Sequence, residues 1–491
     1  MDRIDRLSKH LQSGGCALDA AGSSCPFGGA KVKPLAVSAM FSEEEIKQAV
    51  PPPQVKSTAR TSSDPVNFLM ECAQEFPEIF VLDRGNGYKY AVLSDVNMFE
   101  DILTYDEEFG NPVTPNMSVN KNIFQIPVEQ LERHEQNAIG GLRQYLLNNN
   151  AQLADIIAGK LITYMRQVLG ESGEMDLRDL GAAIFWPMTE ALFGDRANIN
   201  DAPYLLEAFE NIDNFFGKAL KGRKVPAVEQ GVSKAYSLFS SMVKEAKQGK
   251  GKIGPVIEYY DKVTNREDPD LTAKFATAAW WGGQGNTLPS TVWTFGMVLA
   301  NPEAKRKAYA EVDGPFANQP DKDGHYNYDT LEYLTASLKE TLRMKTYSIA
   351  WRQAQNDAVL TSRSGKKYLL PKGMLIGLHF AMRHFDPTVH DEPNKFRPER
   401  FLGSGAGLSP TINGKPYAWV PFSAGRHKCS GYSLAMLEIP VVMALVFREY
   451  NMELLDPLPG MDYRQAFGVV GPDDKPVRVK YTRRPFNTGS T

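Results

Sequence analysis

Four cysteines among 491 residues (Cys16, Cys25, Cys72 and Cys429) are too few for a disulfide framework, and no CxxC pair marks a zinc site. A reducing compartment is the simplest setting for such a chain. No apolar run reaches the length of about 18 residues that spans a bilayer. The first ten residues are charged from the start, so a cytoplasmic protein without a membrane anchor is expected. An excess of one charge is also lacking: 55 Lys and Arg against 58 Asp and Glu leave a net charge of −3. That balance gives no bulk attraction for nucleic acid. No repeat of fixed period is evident.

What is present is enough apolar material, 42% of the chain, to bury a large core, in several domains or in one built around a cofactor. Residues 1–60 are rich in Gly, Ser, Ala and Pro and read as an N-terminal extension with one short acidic helix near Ser42–Ala49. Residues 61–491 hold the patterned remainder of the chain. It opens with a helix through Phe76 and a hairpin, Ile79–Leu82 and Tyr88–Leu93 about Gly85-Asn86-Gly87. Apolar residues at three-to-four spacing then predict helices over Leu131–Leu147, Ala151–Leu169, Leu177–Leu192, Tyr204–Gly217 and Val232–Gln248. Short strands are expected only near Val359-Leu360, Tyr368–Leu370, Leu375–Leu378 and Val477–Tyr481. The fold class that follows is mainly α (α+β), a helical body with a small sheet lobe.

Near the C-terminus, Phe422-Ser423-Ala424-Gly425-Arg426-His427-Lys428-Cys429-Ser430-Gly431 sets one thiol in a loop of small residues at the mouth of an apolar helix. Backbone N–H groups and a helix N-terminus are what an anionic sulfur needs. Gly425 and Gly431 leave the backbone free to approach, and Phe422 is placed to cover the sulfur. A buried core cysteine is the competing reading, and the loop pattern alone leaves the two in balance. Upstream, Glu340-Thr341-Leu342-Arg343 puts a carboxylate and a guanidinium on one helix face. Most such pairs are solvated surface bridges. Phe396-Arg397-Pro398-Glu399-Arg400-Phe401 follows and offers Arg400 as a third member.

ExxR, then PERF, then FxxGxxxCxG, in that order, resembles the cytochrome P-450 haem-thiolate superfamily over roughly residues 60–485. The resemblance implies haem b between a distal and a proximal helix, Cys429 as the axial iron ligand, and Glu340, Arg343 and Arg400 as a structural cluster. A cysteine ligand favours O–O cleavage over oxygen carriage. It further implies dioxygen and an apolar substrate, with electrons from NAD(P)H reaching a monomeric enzyme through a separate ferredoxin or flavoprotein reductase. The propionates call for cations: Arg352 first, with His427 at the family's usual arginine position. The family's WxxxR motif is absent around His134–Arg143, which leaves Arg143 a weak haem contact.

The distal side then falls in Thr272–Leu299, whose centre, Trp280-Trp281-Gly282-Gly283-Gln284-Gly285-Asn286-Thr287-Leu288-Pro289, is full of residues that loosen a helix. Relatives carry an acid before the threonine; here Asn286 takes its place. An amide holds a water but does not titrate, so proton delivery is expected to run through Thr287. A Q-G-N-T-x-P stretch resembles the clan of sterol 7α- and 12α-hydroxylases and prostacyclin synthase. Thr287 favours a hydroxylase, because isomerising a peroxide needs no protons. Trp281, Ile349, Ala350, Trp351, Val469 and Val470 are expected to line the substrate side and suit a flat sterol- or terpenoid-like molecule. The rival readings are a reductase-independent isomerase or dehydratase of a lipid hydroperoxide and a non-catalytic haem sensor. His379, His384 and His390 crowd one segment, but no cysteine or paired acid completes a metal chelate there.

Overall fold

The computed structural model describes residues 41–485 except 86, 105–108, 111–118, 221, 267, 404–414, 426–427, 464–467 and 473–474. The description therefore excludes Cys16, Cys25 and His427.

Helices form the bulk. α1 (Glu43–Gln48) starts on a reciprocal cap, with Ser42 Oγ accepting from Glu45 N at 3.2 Å and Glu45 Oε2 accepting from Ser42 N at 3.0 Å. α2 (Pro65–Glu75) precedes the hairpin. α3 (Leu142–Val168) is one helix where the sequence suggests two, because the Asn148-Asn149-Asn150 run is only mildly unfavourable in a helix and packing overrides it. Leu146, Leu153, Ile157 and Leu161 are buried in the helical core. α4 (Leu177–Phe193), α5 (Tyr204–Leu220) and α6 (Pro226–Lys247) follow, then α7 (Pro269–Ala300), the longest. α8 (Glu332–Lys345) carries the ExxR pair, and α9 (Tyr432–Glu449) starts three residues after Cys429. α9 packs against α3, α7 and α8, so the cysteine loop opens at the centre of the bundle.

The strands are β1 (Gln54–Lys56), β2 (Ile79–Asp83), β3 (Lys89–Leu93), β4 (Phe109–Gly110), β5 (Ser172–Asp176), β6 (Thr346–Tyr347), β7 (Ile349–Ala354), β8 (Ala358–Thr361), β9 (Lys367–Leu370), β10 (Leu375–His379), β11 (Tyr450–Leu454), β12 (Gly468–Val469) and β13 (Arg478–Arg483). Six of them form a sheet in the order β1-β2-β3-β10-β7-β4. The hairpin β2–β3 pairs Ile79 with Leu93 and turns through Gly85 and Gly87, both at positive φ. β1 pairs in parallel with β2, so the sheet takes in residues that the sequence reading gave to the extension. Three residues, Gln54-Val55-Lys56, with Val55 alone packing inward, are too short for alternation to reveal. β7 was also missed as a strand: its alternation, Ala350, Arg352 and Ala354 buried against Ile349, Trp351 and Gln353 half-buried, includes an arginine on the buried face. No helix among the described residues is long and apolar enough to cross a membrane.

Candidate functional site: a cysteine loop facing a distal helix

The cysteine loop is built by backbone conformation before side chains enter. Ser423 and Gly425 take left-handed φ values of 62° and 71°. The chain folds back so that Cys429 N donates to Phe422 O at 2.8 Å and Lys428 N to Gly425 O at 3.3 Å. A Cβ on Gly425 would meet the Leu103 carbonyl at 3.0 Å, so glycine is required both for its φ and for this approach. Phe422 packs edge-on against Trp419 and Tyr432, with centroids 6.1 and 6.4 Å apart.

Burial pushes the Cys429 thiol up, while the Gly431 N–H, the Arg143 charge and the Tyr432 N–H pull it back toward the thiolate. Yet Cys429 keeps exposed surface. The sulfur is thus accessible although protein crowds it. This donor set fits a haem iron: a bound metal cation deprotonates a coordinating thiol outright, and two helix N-terminal N–H groups then hold the anion.

Arg143, on α3, donates from its Nη2 to Lys428 O at 2.6 Å and so pins the residue before Cys429. Arg352 lies on β7 with its Nη1 on Trp351 O at 2.8 Å and is 2% exposed. It shares a strand face with Ala350, whose apolar cluster includes Leu103 and Ala424 of the cysteine-loop region. A buried guanidinium on that face fits a propionate partner.

The Glu340 carboxylate accepts from Arg343 Nε at 2.8 Å and Nη2 at 2.9 Å, from Arg400 Nε at 3.0 Å and from the Arg397 backbone N–H at 3.0 Å. Arg343 also donates to the carbonyls of His384 and Pro393, at 2.6 and 2.7 Å. Glu340 and Arg343 are fully buried. The cluster fastens α8 to the loop that leads into the cysteine segment. Trp419 Nε1 donates to Lys339 O at 3.0 Å and continues that attachment.

The three histidines are structural. His384 Nε2 accepts from Val420 N at 3.0 Å, which puts its proton on Nδ1, and burial holds the ring neutral. His390 Nε2 meets Ala418 O at 2.8 Å, and His379 stacks on Tyr90. No metal-binding group of His, Cys, Asp or Glu exists among the described residues.

On α7, faces are assigned by helical spacing. Trp280 and Gln284 point to α4, both donating to Thr189 Oγ1, at 3.3 and 3.1 Å. Trp281 turns to α5, stacked on Phe216 with centroids 4.4 Å apart. Gly283 lies one turn before the buried Thr287, and a Cβ there would meet nothing within 4 Å, so space opens beside the threonine. Pro289 supplies no N–H to the Gly285 carbonyl. The helix nevertheless runs unbroken, and Ser290, Thr291 and Thr294 donate back to the carbonyls four residues earlier.

The Asn286 side chain engages the C-terminal strand. Its Oδ1 accepts from Val469 N at 2.9 Å, and the Gly468 backbone lies so near that a Cβ would clash with that oxygen. Two turns on, Trp293 Nε1 donates to Val470 O at 2.6 Å. α7 thus grips β12 at two points. The proposed lining residues divide: Val469 is half-buried, whereas Val470 is fully buried. Ile349 and Trp351 occupy the β7 face opposite Ala350, and Trp351 packs edge-on against Tyr90 at 4.8 Å. A strand's period of two separates residues that looked contiguous in sequence.

Gly468 sits at φ 128°. In Gly468→Ala both the backbone and the Asn286 contact must yield, at about 1–3 kcal/mol. Amide exchange at Val469 and Val470 is expected to speed up roughly tenfold or more; unchanged exchange would contradict the clamp.

Comparison with known proteins extends this geometry. A family model, Cytochrome P450, matches residues 255–475. A human 24-hydroxycholesterol 7-alpha-hydroxylase is 22% identical over 86% of the chain and 90% of its own length. Mouse Cytochrome P450 7B1 is 27% identical over 59% of the chain and 56% of its own length. A rabbit 7-alpha-hydroxycholest-4-en-3-one 12-alpha-hydroxylase is 26% identical over 60% and 63%. Against the mouse relative the chain thus spans little more than half the length. The matched residues take in α7, the Glu340 cluster and the cysteine loop, and over them the chain is similar to the cytochrome P450 family.

Proposed function

We propose that this protein is a haem-thiolate monooxygenase that inserts one oxygen atom of dioxygen into an apolar polycyclic substrate of sterol or terpenoid type. The observation that carries this reading is the Cys429 sulfur, held by the N–H groups at the start of α9 and still accessible. Bound haem supplies the redox chemistry, in which one oxygen atom enters the substrate and the other leaves as water, at the cost of two electrons and two protons. The electrons come from NAD(P)H through a separate ferredoxin or flavoprotein.

The chain's own residues do the rest. Cys429 would ligate the iron, Arg352 would pair with a propionate, and Arg143 fixes the loop through the Lys428 carbonyl. Thr287 Oγ1 stands beside the space that Gly283 leaves and passes protons from ordered water, since the Asn286 oxygen is engaged with β12. Related sterol hydroxylases and a sterol 14-demethylase from Arabidopsis thaliana, 24% identical over 65% of the chain, support a polycyclic substrate.

Turnover of a tetracyclic substrate under isotopically labelled dioxygen, with NAD(P)H and a redox partner, tests the reading. One labelled oxygen atom in the product is expected. Product formed from a hydroperoxide with no electron source would decide for an isomerase instead. Thr287→Ala is expected to keep NAD(P)H consumption while diverting most of it to hydrogen peroxide; unchanged coupling would take Thr287 off the proton path.

A further inference from the structure

One acid in the interior has no part in the chemistry above. Asp213 sits on α5, three residues before Phe216, so both project from one helix face. Trp281 and Gly285, four apart on α7, form the opposing face. Two contacts lock these faces together. The Phe216 and Trp281 rings stack at 4.4 Å, inclined by 16°, and Asp213 Oδ1 lies 3.4 Å from where a Cβ on Gly285 would be. Gly285 is thus the position at which α7 admits a carboxylate against its backbone, one residue before Asn286.

The surroundings are apolar. Phe124 packs against the same indole, with ring centroids 5.9 Å apart. Neither Gly282 nor Gly283 projects a side chain, and a Cβ on either would meet nothing within 4 Å. Asp213 keeps exposed surface, yet protein crowding raises its carboxyl to about 6. That pair of properties recurs at Cys429. The Trp281 N–H is near enough to favour the ionised carboxylate slightly but stops short of a formed hydrogen bond. Among the described residues no lysine or arginine pairs with Asp213. A desolvated carboxylate with no protein donor is costly unless a ligand supplies one.

We infer that Asp213 is the polar anchor of the substrate chamber, accepting a hydrogen bond from a hydroxyl group of a polycyclic alcohol whose carbon skeleton packs against Trp281 and Phe216. The inference rests on the proposed polycyclic substrate and adds where its oxygen is held. A hydroxyl donates to the carboxylate; a ketone only accepts and would be repelled.

Binding is read from the Soret shift of the holoprotein with two sets of probes. One set is a tetracyclic alcohol, its ketone and its oxygen-free hydrocarbon; the other is a long-chain alcohol, ketone and alkane. Each is titrated into the wild type and into Asp213→Leu and Asp213→Asn, with the reduced carbon-monoxide spectrum confirming that both variants hold haem. The wild type is expected to bind the alcohol about tenfold or more tightly than the ketone. Asp213→Leu should reduce that ratio to within about twofold while leaving the hydrocarbon nearly unchanged, and Asp213→Asn should fall between. The anchor is overturned if the wild type shows no preference, if the preference survives in Asp213→Leu, if all three ligands weaken equally, or if neither set binds. Should only the long-chain set show the Asp213-dependent preference, the anchor stands and the polycyclic reading falls.

Discussion

Glu340→Ala should cost the fold about 3–5 kcal/mol and is expected to yield little or no haem-loaded protein. The magnitude follows from what the carboxylate leaves behind. Four donors converge on it within 2.8 to 3.0 Å, and the Arg343 guanidinium would keep its charge with no anion at a fully buried site. Arg343→Lys should fail almost as badly, since an ammonium cannot reproduce the fork that reaches Glu340 and two carbonyls at once. Arg60 and Glu71 meet at 2.7 Å, closer than any contact Glu340 makes, but in open solvent, so Glu71→Ala is the contrasting control and should change stability little. Denaturant unfolding of the three variants, with haem content measured in parallel, checks the ordering. A Glu340→Ala variant as stable as the control would mean that the cluster is not what fastens α8 to the cysteine segment.

Cys429→Ser is expected to abolish the thiolate-type spectrum of the reduced carbon-monoxide complex and with it all measurable turnover, while the polypeptide folds as before. Fold and chemistry separate here because the loop is held by contacts that do not involve sulfur: the Leu103 approach to Gly425, the Cys429 N–H on Phe422 O, and Arg143 on Lys428 O. Burial outweighs the two N–H groups and the nearby guanidinium, so the thiol ionises only against a bound cation, and a serine hydroxyl, far less acidic, gives up its proton less readily still. Near-normal thermal stability together with a lost spectrum is the expected pair of results. An intact spectrum in the serine variant would remove residue 429 from the iron.

The cysteine loop, the ExxR pair and the distal helix were legible in the sequence because their chemistry is local: glycines at fixed offsets, charges three apart, a proline in an apolar run. The helical body and the hairpin were legible through periodicity. Long-range commitments were not. Nothing in the neighbourhood of Asn286 announces that its amide reaches 183 residues along the chain to Val469. Arg143 lacked its usual tryptophan, and Asp213 is an ordinary acid on an amphipathic helix until α7 is laid against it. β7 eluded recognition because its buried face carries Arg352, and a charge in that position breaks the alternation that marks a strand.

Asn286 holds β12 and, two helical turns on, Trp293 holds the residue after it, so a displacement of this C-terminal strand would load α7 at both points. On the proposed function, a ligand that pressed on Val469 would pull on the turn that carries Thr287, and an ill-fitting molecule would then waste reducing equivalents even while it bound.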